Sequence, residues 1–154
     1  MVAPLSAAAP RTPVEHSMDP TVLVADADPL AARYLARQLD RAGFDVVAVS
    51  RADAAWYLLH QTQPSLLVLN YRWQGMDPLA FLERIRADEQ LSDLPVIVLV
   101  PADAELGDDA RVLQTLSATV VRQPYSPRRL AVRAFEAVHA ASWSNRPAEI
   151  ATLA

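Results

Sequence analysis

Five short apolar runs punctuate the chain from Thr21 onward: TVLVA (21 to 25), DVVAV (45 to 49), LLVLN (66 to 70), PVIVLV (95 to 100) and TVVR (119 to 122). They are β-branched or leucine-rich and apolar without alternation, which predicts strands covered on both faces, as in a parallel sheet. Between them lie segments of helical period. Asp28 before Pro29 reads as an N-cap with proline at the first helical position, opening a helix whose Ala31, Leu35, Leu39 and Ala42 share a face and which Gly43 ends. Ser50 and Asp53 have the spacing of a capping box, ahead of Ala54, Trp56, Leu58 and Leu59. Asp77 and Pro78 open a third helix, with Leu79, Leu82 and Ile85 inward and Glu83, Arg84 and Arg86 outward. A fourth, about 105 to 116, has a start weakened by Gly107 and a run of acids. Ser126 and Pro127 open a fifth, with Leu130, Ala134 and Val138 inward against Arg128, Arg129, Arg133 and Glu136.

Five strands each followed by a helix predict an α/β fold, a doubly wound five-stranded parallel sheet with five helices joined by right-handed crossovers. Sites in such sheets lie outside the carboxyl ends of the strands. The residues that matter are therefore Asp26 to Asp28, Asn70 to Arg72, Val100 to Ala102 and Arg122 to Tyr125.

The 154 residues fit one core, expected over 21–141, between a proline-interrupted leader (1–20) and a tail (142–154). The leader lacks the basic start and apolar run of a secretory signal, and no run approaches a membrane span, so a cytoplasmic protein without membrane insertion is expected. A formal charge of -4 argues against a broad nucleic-acid footprint. The absence of cysteine excludes disulfides and thiolate chemistry, and His16, His60 and His139 lack metal-ligand spacing. All 14 basic residues counted as Lys+Arg are arginines, so no mechanism can use a lysine ammonium.

The stretches VLVADADPLAARYLARQLDRAGFDVV, PSLLVLNYRWQGMDPLAFLERIRAD, LPVIVLV and VVRQPYSPRRL resemble the receiver domain of two-component response regulators over roughly residues 20 to 140. The GMD turn after the third strand and the PYSP after the fifth are the most specific pieces. The resemblance implies a flavodoxin-like fold that accepts a phosphoryl group on an aspartate ending the third strand. It also implies a magnesium ion held by acids after the first strand, a hydroxyl residue after the fourth strand and a lysine after the fifth. There the carboxylate is nucleophile, while metal and ammonium neutralise the transferring group.

Carried over by position, Asn70 stands for the acceptor, Ala27 for the second acid beside Asp26, Val100 for the hydroxyl residue, Gln123 for the lysine and Val120 for a switch aromatic. With one carboxylate of three, useful magnesium affinity is not expected, and neither metal nor other cofactor is assigned. The rim of the degenerate site is expected at Asp28, Tyr71, Arg72, Trp73 and Pro124, with Asp28 as a helix cap and Gln123-Pro124 in cis. Arg72 is expected to reach Asp26 or Asp28 in place of the missing cation, the alternative being a solvated loop arginine. Tyr71 is expected beside the third strand; Trp73 is either a lid over the pocket or an exposed contact residue.

The reading that follows is a stand-alone pseudo-receiver, not an enzyme, locked out of phosphorylation and acting through a protein partner: a kinase, regulator or effector. The length leaves no room for an appended output domain, so output is expected through a surface. The face of helix four, strand five and helix five commonly serves receivers for dimers and partners; here it gathers Arg111, Val120, Arg122, Tyr125, Arg128, Arg129 and Arg133, either a docking patch or ordinary solvated surface. A small-molecule sensor using the vacated acidic pocket is the alternative, although no glycine loop is present to cradle phosphate.

Overall fold

The structure, a computed structural model, describes residues 19–144, with side chains described for 19–140. The expected leader (1–20) and tail (142–154) fall almost wholly outside that range. Strands β1 (Thr21–Ala25), β2 (Asp45–Val49), β3 (Leu66–Asn70), β4 (Val96–Val100) and β5 (Thr119–Arg122) alternate with helices α1 (Pro29–Arg41), α2 (Ala52–Thr62), α3 (Pro78–Ala87), α4 (Asp109–Thr115) and α5 (Pro127–Ser144). All strands are parallel, in the order β2-β1-β3-β4-β5. The chain reverses its direction of winding at β1 and β3, which are paired from Val22 opposite Leu66 to Ala25 opposite Leu69.

Strand alternation sorts the core into two layers. Val22, Val24, Leu66, Val68, Ile97 and Leu99 face α1 and α5, meeting Leu35, Leu39, Leu130 and Ala134. Leu23, Leu67, Leu69, Val96, Val98 and Val100 face the other way, toward Ala55, Leu59, Leu82, Ile85 and Leu113 of α2, α3 and α4. Side chains buried to this extent each contribute roughly 1.5–3 kcal/mol. This is the physical reason the central strands read as unbroken apolar runs, while the edge strands β2 and β5 keep exposed positions.

The helix starts behave as their chemistry dictates at three places, Ser126 among them, whose hydroxyl accepts from the Arg129 N–H at 3.1 Å at the start of α5. Asp28 caps α1 by accepting from the Leu30 N–H at 3.0 Å, and Asp77 caps α3 by accepting from Leu79 at 3.0 Å, each with proline next in line. Gly43, just beyond α1, takes φ +104, the left-handed geometry that ends the helix at low cost.

Four expectations are corrected. The Ser50/Asp53 capping box does not form: Arg51 holds the cap position without a side-chain cap bond, and Asp53 is drawn instead to the Arg51 guanidinium at 2.6 Å. In α1 it is Ala32, rather than Ala31, that is buried against the sheet. The fourth helix begins only at Asp109, because Ala104 to Asp108 are spent on turns closed by Ala104 N–H to Pro101 O and Asp109 N–H to Leu106 O. Arg86, expected outward, turns in: its guanidinium donates to the carbonyls of Leu116 at 2.8 Å, Ser92 at 3.0 Å and Leu94 at 2.7 Å, tying the end of α3 to two loops.

Candidate functional site

The carboxyl ends of β1 and β3, neighbours in the sheet, bring Asp26 and Asn70 together. Asp26 is only 3% exposed, the only buried charged side chain among the described residues. The Asn70 amide donates from Nδ2 to Asp26 Oδ2 at 2.8 Å, and the Asp28 backbone N–H donates to Asp26 Oδ1 at 2.9 Å. Asn70 Oδ1 in turn accepts from the Arg72 N–H at 2.9 Å. These contacts fix the orientation of the amide, since exchanging its oxygen and nitrogen would set oxygen against carboxylate and nitrogen against an N–H.

Ala27, Asp28, Arg72, Pro101 and Gln123 complete a cleft around this pair. Val100 is fully buried at the end of β4 and its side chain offers no polar atom. Gln123 follows β5, with its peptide bond to Pro124 in cis. The magnesium ion that the resemblance implies does not fit these residues. Asp26 is the sole carboxylate among Asp26, Ala27 and Asn70, one oxygen-ligand group where magnesium needs several, and both of its oxygens already accept an N–H. No group of three His, Cys, Asp or Glu is placed to hold a metal among the described residues. Nor is Asn70 a nucleophile: the amide nitrogen's lone pair is delocalised into its carbonyl, and both ends of the group are engaged.

At the rim Arg72 follows the solvated alternative, and Trp73 of the rim and Tyr125 of the α4–β5–α5 face lie elsewhere than expected. Arg72 reaches neither Asp26 nor Asp28; its guanidinium lies 3.3 Å from Asp103 on the β4–α4 loop, with both side chains mostly exposed. Trp73 is neither lid nor exposed contact: it is 8% exposed and packs into the core beneath α2, α3 and α4. Tyr125 leaves the α4–β5–α5 face for a separate cleft against α1, where burial pushes its phenol up and the Asp26 charge pushes the same way. Tyr71 lies beside the third strand as expected, half-buried, with its hydroxyl donating to the Asp109 carboxylate, an interaction that raises the tyrosine above its ordinary range.

On the α4–β5–α5 face, Arg111, Arg128, Arg129 and Arg133 are exposed and Val120 is 39% exposed, whereas Arg122 is folded back to donate to Pro101 O at 3.2 Å and Ala104 O at 2.7 Å. Arg133 lies 3.5 Å from Glu136. The sequence reading missed Tyr34 and Gln38, which join Tyr125, Leu35 and Leu130 in walling the second cleft. Both lie on the polar side of α1, where helical periodicity treats them as surface.

The winding order, the two-sided core and an acidic mouth at the β1/β3 switch define a flavodoxin-like fold of the CheY-like receiver type. The sequence profile of the response regulator receiver domain matches residues 22–135, and the chain belongs to that family, the receivers of two-component signalling. Among curated proteins it is 25% identical over 113 residues to the phosphate regulon transcriptional regulatory protein PhoB of Pseudomonas aeruginosa, covering 73% of this chain and 49% of that one. It is 30% identical over 112 residues to the probable transcriptional regulator ycf27 of Guillardia theta, covering 73% and 42%. The chain thus aligns with less than half of the length of these relatives. Among solved structures, a response regulator receiver protein from Pseudomonas putida matches with a TM-score of 0.69 and 26% identity, covering 77% of this chain and 97% of that one. A CheY-like receiver domain protein from Methanospirillum hungatei shares the fold at a TM-score of 0.73 and 16% identity, covering 82% and 99%.

Proposed function

We propose that this chain is a pseudo-receiver: a signalling module that is not phosphorylated at the usual site and acts through phosphorylation-independent contact with a protein partner, a kinase, regulator or effector of a cytoplasmic pathway. The observation that carries this reading is the hydrogen bond from Asn70 to Asp26. It fills the mouth of the sheet with an amide where phosphoryl transfer needs a carboxylate anion, and it leaves Asp26 as a single carboxylate where a divalent ion needs several. Val100 and Gln123 supply neither the hydroxyl nor the ammonium that would steady phosphoryl oxygens. Output then falls to a surface. Exposed Arg111 on α4, Val120 on β5 and Arg128, Arg129 and Arg133 on α5 make this face the proposed docking surface of a chain of net charge -4, suited to an acidic partner.

Incubation with acetyl phosphate and magnesium, read by intact mass, is expected to leave the protein unmodified, and stoichiometric phosphorylation would refute the proposal. Replacing Arg128, Arg129 and Arg133 together by glutamate is expected to abolish capture of the partner while leaving the fold intact by circular dichroism.

A further inference from the structure

The second cleft, between α1 and the loop that follows β5, shares Asp26, Asn70 and Gln123 with the mouth but is walled by different residues of α1 and α5. It encloses about 360 Å³, at the lower end of small-ligand sites. Asp26 and Asn70 form its floor, Leu35 and Leu130 its inner wall, and the rings of Tyr34 and Tyr125 its sides. Asp26 is the unusual element. Its two oxygens each accept one hydrogen bond, both from neutral donors, whereas a carboxylate offers about four acceptor positions. No arginine or histidine pairs with it among the described residues; Arg72 is committed to Asp103. A buried carboxylate held only by neutral donors is complementary to a cation.

The lining decides which cation. A magnesium or calcium ion takes six or more oxygens, with several carboxylates or waters among them, and one carboxylate among leucines and tyrosines is a poor match. An organic cation with an apolar body is a good one. Its head meets Asp26, its body lies on Leu35 and Leu130, and two tyrosine side chains, Tyr34 and Tyr125, line the cleft around it. Gln38 and Gln123 at the rim supply side-chain oxygens for the remaining N–H groups. The negative floor repels phosphates and carboxylates.

We propose that the cleft between α1 and the β5–α5 loop binds a small organic monocation, an arylalkyl ammonium or amidinium, with its charged head on Asp26 and its body between Tyr34 and Tyr125. The site does not depend on the pseudo-receiver reading, because it uses the Asp26 carboxylate whether or not residue 70 takes part in signalling.

The test is a titration of the full chain with benzamidine, followed by two-dimensional NMR, beside benzyl alcohol and benzoate as neutral and anionic bodies of similar shape. The expected result is saturable binding of benzamidine alone, with shifts confined to residues around Tyr34, Tyr125 and Leu130. Asp26→Asn is expected to weaken it by at least about tenfold. Because Asp26→Asn disturbs the floor itself, Ala31→Trp serves as a second variant. It fills the cleft from a half-buried position on α1 and is expected to abolish binding with an unchanged circular dichroism spectrum. Equal binding of benzyl alcohol, full affinity in either folded variant, or no shifts at those residues would overturn the proposal. The acetyl phosphate assay reads the pseudo-receiver proposal separately, so that either can fail alone.

Discussion

The side chain of Asn70 is held by two opposed contacts, its nitrogen 2.8 Å from the Asp26 carboxylate and its oxygen 2.9 Å from the Arg72 N–H. The amide thus does for Asp26 what a cation does elsewhere: it stabilises a buried carboxylate at the mouth of a parallel sheet, by a hydrogen bond and without a charge. A second carboxylate at residue 70 would keep the contact to Arg72 and turn the contact to Asp26 into repulsion.

Asn70→Asp is therefore expected to lose about 2–4 kcal/mol of stability at neutral pH in the presence of a chelator, from a lost charge-assisted hydrogen bond and from two adjacent like charges. Millimolar magnesium is expected to restore part of this loss in the variant and to leave the parent's melting temperature unmoved, since only the variant presents two carboxylates to one ion. Thermal melts of both proteins with and without magnesium measure it. An Asn70→Asp protein as stable as its parent without metal would show that the amide plays no electrostatic part.

Arg72 separates what is visible at the mouth from what holds it. Its pairing with Asp103 joins two largely exposed side chains at 3.3 Å, a geometry that contributes little in water. Arg72→Ala is expected to change the unfolding free energy by no more than about 0.5 kcal/mol, because the contact that matters at this position is the backbone N–H, which alanine keeps. Denaturant unfolding measures this, and a loss several times larger would mean that the guanidinium serves the buried acid after all.

The contrast between Asn70 and Arg72 also marks what was legible in the sequence. The strands, their two-sided burial and the Asp-Pro caps follow from period and local chemistry, and the structure begins β1, β2, β3 and β5 at the residues where the apolar runs begin. The meeting of Asp26 with the end of β3 follows from the sheet order. Directions of long side chains did not follow. Arg72, Arg86 and Trp73 each lie beside alternative partners brought near only by loops, and a sequence does not rank Asp103 above Asp26 or place the Leu116 carbonyl near α3. The capping box failed for the same reason: Arg51, adjacent in sequence, offered Asp53 a full charge where the backbone offered an N–H.

Arg86 shows how much such an unforeseen partner matters. Three backbone carbonyls, those of Ser92, Leu94 and Leu116, converge on its guanidinium, and burial lowers the readiness of the group to hold its proton. Arg86→Met keeps the aliphatic stem and strands these carbonyls. The expected cost is about 2–4 kcal/mol, larger than for any exposed arginine of α5, as measured by urea denaturation. A cost below that of Arg129→Met would show that water replaces the guanidinium freely.

His60 carries a pH dependence that can be signed from its contacts. Both ring nitrogens face acceptors, Nδ1 the Trp56 carbonyl at 2.9 Å and Nε2 the Asp88 carboxylate at 2.8 Å, so both contacts are satisfied together only by the doubly protonated ring. The Asp88 hydrogen bond, followed by that of Trp56, raises His60 above its ordinary value, and His60 lowers Asp88 below its own. The other charge nearby, the Arg84 guanidinium, stacks 4.1 Å from the centre of the Trp56 ring rather than on the histidine. A raised histidine contributes stability in full below its unfolded value of about 6.5 and loses it as pH climbs through the higher folded value. A lowered aspartate contributes above about 3.9 and loses its share as pH falls through the lower folded value. The clasp between α2 and the end of α3 is therefore strongest from about pH 4 to 6.5. The stability difference between the parent and His60→Gln is expected to be largest in that window and to shrink toward pH 8. Urea unfolding of both proteins at pH 5.5 and pH 8 measures it, and subtracting the variant removes the contribution of His139. A difference that does not change with pH would mean that His60 holds its place as a neutral ring.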